Sequence, residues 1–216
     1  MITQTIAAVW LVDARTVSPY ELGQFRGWFT ASEELRYKRF VRAQRQRQFF
    51  IGRVLLRLAL SKLLGVSTDM LSLTEQPSRA PLLTLSNQLL TTPGFSLSHS
   101  GDWIACAVSA STMLGLDVEV VNPMRDIFGM ANQAFDSEEV IRLYDLPEEE
   151  RIIAFHHLWV EKEARYKLGE CEAPTCAILP HHADLSIALC SAKPLSALPM
   201  IVLTTFAQDQ PIFNNL

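Results

Sequence analysis

Residues 114–121 form an apolar run that is interrupted only by Asp117 and Glu119. The run is typical of a buried strand, and alternate side chains of a strand point to the same side, so the two carboxylates lie together. Carboxylates inside a buried strand are costly unless positive charge neutralises them. Mg²⁺ supplies such charge and typically takes one or two carboxylates, waters and phosphate oxygens. The pair is therefore a candidate metal–phosphate site, and an edge strand with a polar face is the alternative.

Residues 151–168 contain no Gly or Pro, and their apolar side chains recur at helical spacing. On this predicted helix Trp159, Glu163 and Lys167 are four residues apart and share one face. Glu163 would add a third carboxylate to the metal site, and Lys167 would hold a phosphate oxygen as a point charge. Taken alone, the same stripe also fits an ordinary amphipathic surface.

Residues 35–68 contain no acidic residue but hold nine of the chain's nineteen Lys and Arg residues. The apolar residues at 49–64 face nearly all sides of a helix, which predicts a central, buried helix. Its basic N-terminal half is expected to form a positive wall at the edge of the core. A solvated basic face and a nucleic-acid footprint are the alternatives, although aromatic residues placed for base stacking are lacking.

Three blocks in this order resemble the signature of the 4′-phosphopantetheinyl transferases. They are Ser98-His99-Ser100-Gly101, then Gly115-Leu116-Asp117-Val118-Glu119, then Trp159-Val160-Glu161-Lys162-Glu163-Ala164-Arg165-Tyr166-Lys167. The chain length and the separations between the blocks are similar to the surfactin-synthetase-activating (Sfp) type, and the resemblance runs from about Arg36 to Lys167.

The resemblance implies an α+β fold of two similar α/β lobes related by a pseudo-twofold axis. Residues 1–110 would form an N-terminal lobe that binds the coenzyme A phosphates, and residues 111–216 a C-terminal lobe that carries the metal-binding carboxylates. The two lobes would pack as a single compact pseudo-dimer with the active site between them.

The resemblance also implies a coenzyme A site. Ser98 and His99 would contact the coenzyme phosphates or ribose, and Arg79 would lie near the nucleotide. Arg36 would grip the 3′-phosphate together with a second arginine. Gln48 occupies the aligned position of that second arginine, so Arg45 or Arg47 is expected to substitute for it.

The activity implied is transfer of 4′-phosphopantetheine from coenzyme A to a serine of an apo acyl or peptidyl carrier protein, with 3′,5′-ADP as the other product. Asp117, Glu119 and Glu163 would hold Mg²⁺, Glu163 would act as general base, and Lys167 would stabilise the transferring or leaving phosphate. Glu139 would either support the metal site or cap a helix. Another Mg²⁺-dependent phosphoester enzyme and a non-catalytic nucleotide or coenzyme A binding module are the alternatives.

The formal net charge of −4 argues against a general nucleic-acid binder, and no segment is long enough to predict a membrane span. The apolar run at 6–12 predicts a first buried strand, since it lacks the basic flank of a signal peptide. We expect a cytoplasmic monomer whose tail at 208–216 is frayed. The cysteines form no CxxC pair and match no common zinc pattern, so they are expected to be free thiols: Cys106, Cys171, Cys176 and Cys190.

Overall fold

The computed structural model describes residues 4–77, 79–86, 88–91, 93–181 and 184–206, so the tail at 208–216 lies outside the described residues. The described part is an α+β protein, as expected from the sequence. Its strands are β1 (Ala8–Asp13), β2 (Leu71–Gln76), β3 (Arg79–Leu85), β4 (Gln88–Leu90), β5 (Gly94–Ser100), β6 (Trp103–Ser109), β7 (Leu114–Val120), β8 (Thr175–Ile178), β9 (Leu185–Ser191) and β10 (Ile201–Leu203). Its helices are α1 (Pro19–Gln24), α2 (Ala31–Arg39), α3 (Ala43–Leu64), α4 (Ile127–Ala134), α5 (Ser137–Asp145) and α6 (Glu148–Leu168).

The strands form three sheets, ordered β10-β1-β6-β5, β2-β3-β4 and β7-β9-β8. Strand β10 pairs parallel to β1, with Val9 opposite Ile201. The lobe boundary expected at residue 110 falls in the connection between β6 and β7. Strand β10, although it follows this boundary in the sequence, belongs to the first sheet. Both β5 and β7 are edge strands of their sheets, and they lie side by side.

Helix α3 is buried over most of its length, as its apolar residues on nearly all sides predict. Ile51, Leu55 and Leu60 are fully buried in a core shared with the first sheet. The helix ends at Leu64 and is capped by Gly65, whose φ of +64° is the left-handed conformation that glycine adopts without strain. Some basic residues of α3 lie within this buried segment, so their charged groups must find partners within the fold.

Helix α6 packs across the β7-β9-β8 sheet through Val160 and Ala164, which contact Ala188 and Cys190. The approach to β7 is very close at Gly115. A Cβ atom there would lie 1.9 Å from the carbonyl oxygen of Ala164. The glycine therefore sets how near the helix face can come to the strand that carries the acidic pair.

The expectation of four free thiols is wrong for two of the cysteines. Cys176 on β8 and Cys190 on β9 form a disulfide. The two residues are direct partners in the antiparallel register of the strands, with Cα atoms 4.1 Å apart. Strand register brings them together, and sequence spacing alone does not reveal it. Cys106 and Cys171 are free, and burial raises the pKa of the Cys106 thiol.

Within the described ranges, no helix is both long enough and apolar enough to cross a bilayer.

Thiol titration tests the disulfide. In denaturant without reductant, we expect two reactive thiols per chain, from Cys106 and Cys171, and four after reduction. Four thiols before reduction would show that the bond does not form. The count also bears on the expected cytoplasmic location, because structural disulfides are rare in reducing compartments.

Replacing Gly115 with alanine tests the close approach of α6. The added methyl group has to displace helix backbone, so we expect a loss of about 1–3 kcal/mol in the free energy of unfolding, measured by urea denaturation. Gly27→Ala is the matched control, since a Cβ atom there meets nothing within 4 Å. Equal stabilities of the two variants would contradict the packing described.

Candidate active site

Strands β5 and β7 are bridged by a ladder of three serine hydroxyls. Backbone N–H groups of β7 donate to alternate serines of β5: Leu116 to Ser96 at 2.9 Å, Val118 to Ser98 at 3.3 Å and Val120 to Ser100 at 3.1 Å. These N–H groups belong to an edge strand and point away from its one backbone partner, β9. The hydroxyls therefore satisfy donors that would otherwise be unpaired at a partly buried interface.

Two of the ladder serines also donate to the acidic pair. The Ser98 hydroxyl donates to Asp117 Oδ1 at 2.7 Å, and the Ser100 hydroxyl donates to Glu119 Oε2 at 2.8 Å. Asp117 and Glu119 thus point to the same side of β7, toward β5, as strand alternation predicts. The Ser-x-Ser-x-Ser pattern at 96–100 was visible in the sequence, but its bridging role depends on the packing of two sheet edges.

Lys167 joins Ser98 and Asp117 from the last turn of α6. Its Nζ donates to Asp117 Oδ1 at 2.7 Å, to Ser98 Oγ at 2.9 Å and to the Leu116 carbonyl at 3.2 Å. Asp117 is 5% exposed, and its second oxygen, Oδ2, is buried without a hydrogen-bond partner. A buried carboxylate oxygen with no donor is a site at which a cation would be stabilised.

The carboxylate of Glu119 is more buried, and so less hydrated, than an ordinary surface carboxylate. Burial raises its pKa, and the neighbouring Asp117 charge raises it further, whereas the Ser100 hydrogen bond and Arg125 act in the opposite direction. Arg125 Nη1 lies 3.7 Å from Glu119 Oε2, and the guanidinium carbon is 5.8 Å from the centre of the Trp159 ring. The sequence analysis did not single out Arg125.

The acidic pair fits a divalent cation, but the third expected ligand is not gathered with it. Among the described residues, no three His, Cys, Asp or Glu side chains are close enough to form a ready-made metal centre. Within the same set, the carboxylate of Glu163 has no hydrogen-bond or ion-pair partner. Asp117 Oδ2 has no hydrogen-bond partner, and burial raises the pKa of Glu119, so both carboxylates would be stabilised by a nearby cation. Together they match the one or two carboxylates that Mg²⁺ typically takes.

A cleft of about 640 Å³ opens beside this cluster, between α2, the N-terminal half of α3, β3, β5 and the end of α6. It contains most of the residues that were expected to bind coenzyme A. Its polar lining consists of Arg36, Arg45, Gln48, Arg53, Arg79, Ser96, Ser98, His99, Tyr166 and Lys167.

On one wall of the cleft, Arg45 contacts both Gln48 and His99. Arg45 Nη1 lies 2.8 Å from His99 Nε2 and donates to Gln48 Oε1 at 3.0 Å. Gln48 Nε2 in turn donates to the Gly101 carbonyl at 2.7 Å. Burial, followed by the charges of Arg45 and Lys167, lowers the pKa of His99 to about 4. The imidazole is therefore neutral near pH 7 and contributes hydrogen bonds to the cleft, not charge.

Arg47, the alternative to Arg45, does not reach the cleft. Its Nη2 donates to the Ala14 carbonyl at 2.8 Å and also to the Val17 carbonyl. These carbonyls lie in the short 3₁₀ turn after β1 and in the residue that ends it. Arg47 therefore ties α3 to the end of β1, and of the two arginines only Arg45 lines the cleft.

The positive wall is less positive than the sequence suggested. Arg57 and Arg53 are buried and pair with Glu33 and Glu75, and Arg36 also pairs with Glu75. Both acids lie outside the acid-free segment 35–68, one before it and one after it. The sequence therefore could not show which arginines the fold neutralises.

Glu139 serves as a helix cap. Its carboxylate accepts from the Asp136 N–H at 2.9 Å and pairs with Lys162 Nζ at 2.8 Å.

His156 is a further residue that the sequence analysis missed. It is fully buried, donates from Nδ1 to the Ile152 carbonyl at 2.7 Å, and accepts the Asn122 N–H at Nε2. It thereby ties α6 to the turn that leads to Arg125.

Comparison with known proteins agrees with the family resemblance found in the sequence. The family model described as "4'-phosphopantetheinyl transferase, N-terminal" matches residues 18–111, which include the cleft arginines and stop short of Asp117. HetI of Nostoc, a 4′-phosphopantetheinyl transferase, is 33% identical over 141 residues, covering 63% of this chain and 58% of that protein.

Two further relatives carry the same description. A 4′-phosphopantetheinyl transferase of Bacillus subtilis is 28% identical over 153 residues, covering 71% of this chain and 65% of its own length. A putative one of Synechocystis is 28% identical over 143 residues, covering 66% and 57%. The chain therefore matches less than two thirds of the length of each of these relatives.

Replacing Glu119 with glutamine tests the buried acidic pair. Because the folded pKa of Glu119 lies above its unfolded value, the folded state gains stability from the protonated form at low pH. That gain is lost as pH rises from about 4.5 through the folded pKa. We therefore expect Glu119→Gln to melt at a higher temperature than the parent at pH 7.5 with chelator present, and the difference to shrink toward pH 4.

Glu172→Gln, at an exposed position, is the charge-matched control. Its melting temperature should follow that of the parent at every pH. A Glu119→Gln variant that melts at or below the parent temperature at pH 7.5 would contradict the desolvated environment of Glu119.

Proposed function

We propose that this chain, which belongs to the 4′-phosphopantetheinyl transferase superfamily, transfers 4′-phosphopantetheine from coenzyme A to a serine of an apo acyl or peptidyl carrier protein. The serine oxygen would bond to the phosphorus that carries pantetheine. The bond from that phosphorus to the nucleotide oxygen would break, and 3′,5′-ADP would leave. The Sfp-type, two-lobed pseudo-twofold arrangement and a cytoplasmic monomer are parts of the same proposal.

One observation carries this proposal: the arginine-lined cleft is also lined by Ser98 and Lys167, and both of these side chains donate hydrogen bonds to Asp117. A ligand with several phosphates along its length matches such a site, since its distal phosphates can be held by arginines while its reacting phosphate reaches the acidic pair. Binding energy from the distal part of the ligand is then available to orient the reacting centre. Arg36, Arg45 and Arg79 are the cleft arginines that we assign to the coenzyme, with Ser98 and His99 beside them.

Asp117 and Glu119, joined by Glu163, are the residues that we assign to Mg²⁺. Mg²⁺ would supply positive charge that neutralises the pyrophosphate and the charge that develops on its leaving oxygen. The buried, unpartnered Asp117 Oδ2 supports the assignment. The lack of any partner for Glu163 among the described residues leaves its carboxylate available.

Glu163 is also our candidate general base for the carrier serine. A carboxylate has two oxygens, so one that binds Mg²⁺ can still accept the hydroxyl proton, directly or through water. Lys167, already oriented by Asp117 and the Leu116 carbonyl, would donate to an oxygen of the transferring or leaving phosphate. Its anchoring limits the reorganisation needed when phosphate enters.

The connection between α2 and α3 is the surface that we assign to the carrier protein. Arg39, Val41 and Arg42 are exposed there, and Val41 is 98% exposed. Carrier proteins are typically acidic helical bundles, so basic residues beside the cleft would speed their association.

Intact-mass spectrometry tests the function. An apo acyl carrier protein incubated with this chain, coenzyme A and Mg²⁺ should gain the mass of one phosphopantetheine, and chelator should abolish the gain. Asp117→Asn should reduce the initial rate by about a hundredfold or more, because it removes charge stabilisation from the reacting phosphate. The exposed Asp145→Asn is the matched control and should retain the parent rate.

No gain with fatty-acid, polyketide and peptidyl carriers, despite tight coenzyme A binding, would contradict the transferase function. Turnover of simple phosphoesters without a carrier would instead favour a Mg²⁺-dependent hydrolase.

A further inference from the structure

Five charged side chains form a continuous chain that runs from the core to the cleft. Arg57 pairs with Glu33 through two hydrogen bonds of 2.8 and 2.5 Å. Arg53 Nε lies 3.6 Å from Glu33 Oε1 and donates to Glu75 Oε1 at 2.8 Å, and Arg53 Nη2 lies 2.6 Å from the same Glu75 oxygen. The second oxygen of Glu75 accepts from Arg36. The signs of charge alternate along the chain.

Exposure increases along the chain toward the cleft. Glu33 is 0% exposed and Arg57 1%, whereas the side chain of Arg36 is 42% exposed. Three arginines and two glutamates leave one surplus positive charge. Glu33 lies between Arg57 and Arg53 and is neutralised by them. The surplus positive charge therefore lies at the outer end of the chain of charges, where Arg36 and Arg53 line the cleft.

Glu75 is the member that connects the buried pair to the cleft. Its two oxygens hold guanidinium groups from different helices, Arg36 of α2 and Arg53 of α3. Its own backbone N–H donates to Ser32 Oγ at 3.1 Å, which fixes β2 against the start of α2. The ring of Phe49 lies beside both arginines, 5.7 Å from the guanidinium carbon of Arg36 and 4.8 Å from that of Arg53.

Such an arrangement reduces the cost of binding an anion. A free arginine side chain loses rotamer freedom when it grips a phosphate, and this ordering is part of the cost of association. Arg36 and Arg53 are ordered before any ligand arrives, and each keeps N–H groups that Glu75 does not use. The same carboxylate also places a negative charge near the anion, which opposes binding. The two effects have opposite signs, so they can be separated by experiment.

We propose that Glu75 is a positioning residue for the anionic end of the nucleotide, acting through Arg36 and Arg53. This inference rests on the proposed function, since it takes the coenzyme as the anion in the cleft. Pre-ordering of the two guanidinium groups outweighs the repulsion from the Glu75 charge. Removing that charge while keeping the shape of the side chain therefore weakens nucleotide binding, although it makes the cleft more positive.

Isothermal titration calorimetry with 3′,5′-ADP tests the proposal on Glu75→Gln. We expect the Kd to rise by about tenfold, the scale of one charge-assisted hydrogen bond. In the transfer assay, the KM for coenzyme A should rise similarly while kcat stays within about twofold of the parent. Glu34→Gln is the matched control: it removes one carboxylate from α2, at a partly exposed pair with Lys38, and should leave the Kd unchanged.

A Kd for Glu75→Gln equal to or below that of the parent would overturn the proposal, because the carboxylate would then act only as a negative charge. A fall in kcat with an unchanged KM would also overturn it. If the parent protein binds neither 3′,5′-ADP nor coenzyme A, the proposed function itself fails, and the inference fails with it.

Glu75→Asp keeps the test decisive if the glutamine variant does not fold. The shorter side chain retains the charge but cannot hold both guanidinium groups as Glu75 does, so the Kd should still rise. Combining it with Arg36→Gln should raise the Kd by less than the product of the two single effects, since both act on one contact. An unchanged Kd for Glu75→Asp, or independent effects in the double variant, would overturn the proposal.

Discussion

The site depends on hydrogen bonds between the backbone of one sheet edge and the serine hydroxyls of another. Ser96, Ser98 and Ser100 accept the outward N–H groups of β7, so the two edges meet through side chains instead of a shared backbone ladder. A direct ladder would leave no room for side-chain hydroxyls between the strands. Because hydroxyls intervene, Ser98 and Ser100 can also donate to Asp117 and Glu119. The contact that joins the sheets is therefore the contact that orients the acidic pair.

Local periodicity allowed much of the site to be predicted. Strand alternation placed Asp117 and Glu119 on one side, and helical spacing placed Lys167 one turn beyond Glu163. These inferences depend only on backbone geometry that every strand or helix shares. The mixed α and β content also followed from such patterns, as did the burial of α3 on most of its sides.

Other features depend on partners that are distant in sequence. The neutralisation of Arg53 and Arg57 requires Glu33 and Glu75, which come from another helix and a strand. The choice between Arg45 and Arg47 depends on which face of α3 meets β1, and the Cys176–Cys190 bond depends on the register of β8 and β9. Apolar periodicity does not encode these relations, since tertiary packing alone decides them.

The pairing of β10 with β1 has a consequence for folding order. The central strand β1 of the first sheet has one neighbour from residues 103–109 and the other from residues 201–203. A contact that spans almost the whole chain carries a large loop-closure cost, and it forms only when the intervening segments are already compact. During synthesis, the half that carries the cleft arginines would therefore emerge with one side of β1 open. The first sheet would be completed last, when β10 pairs with β1, after the half that carries the acidic pair has formed.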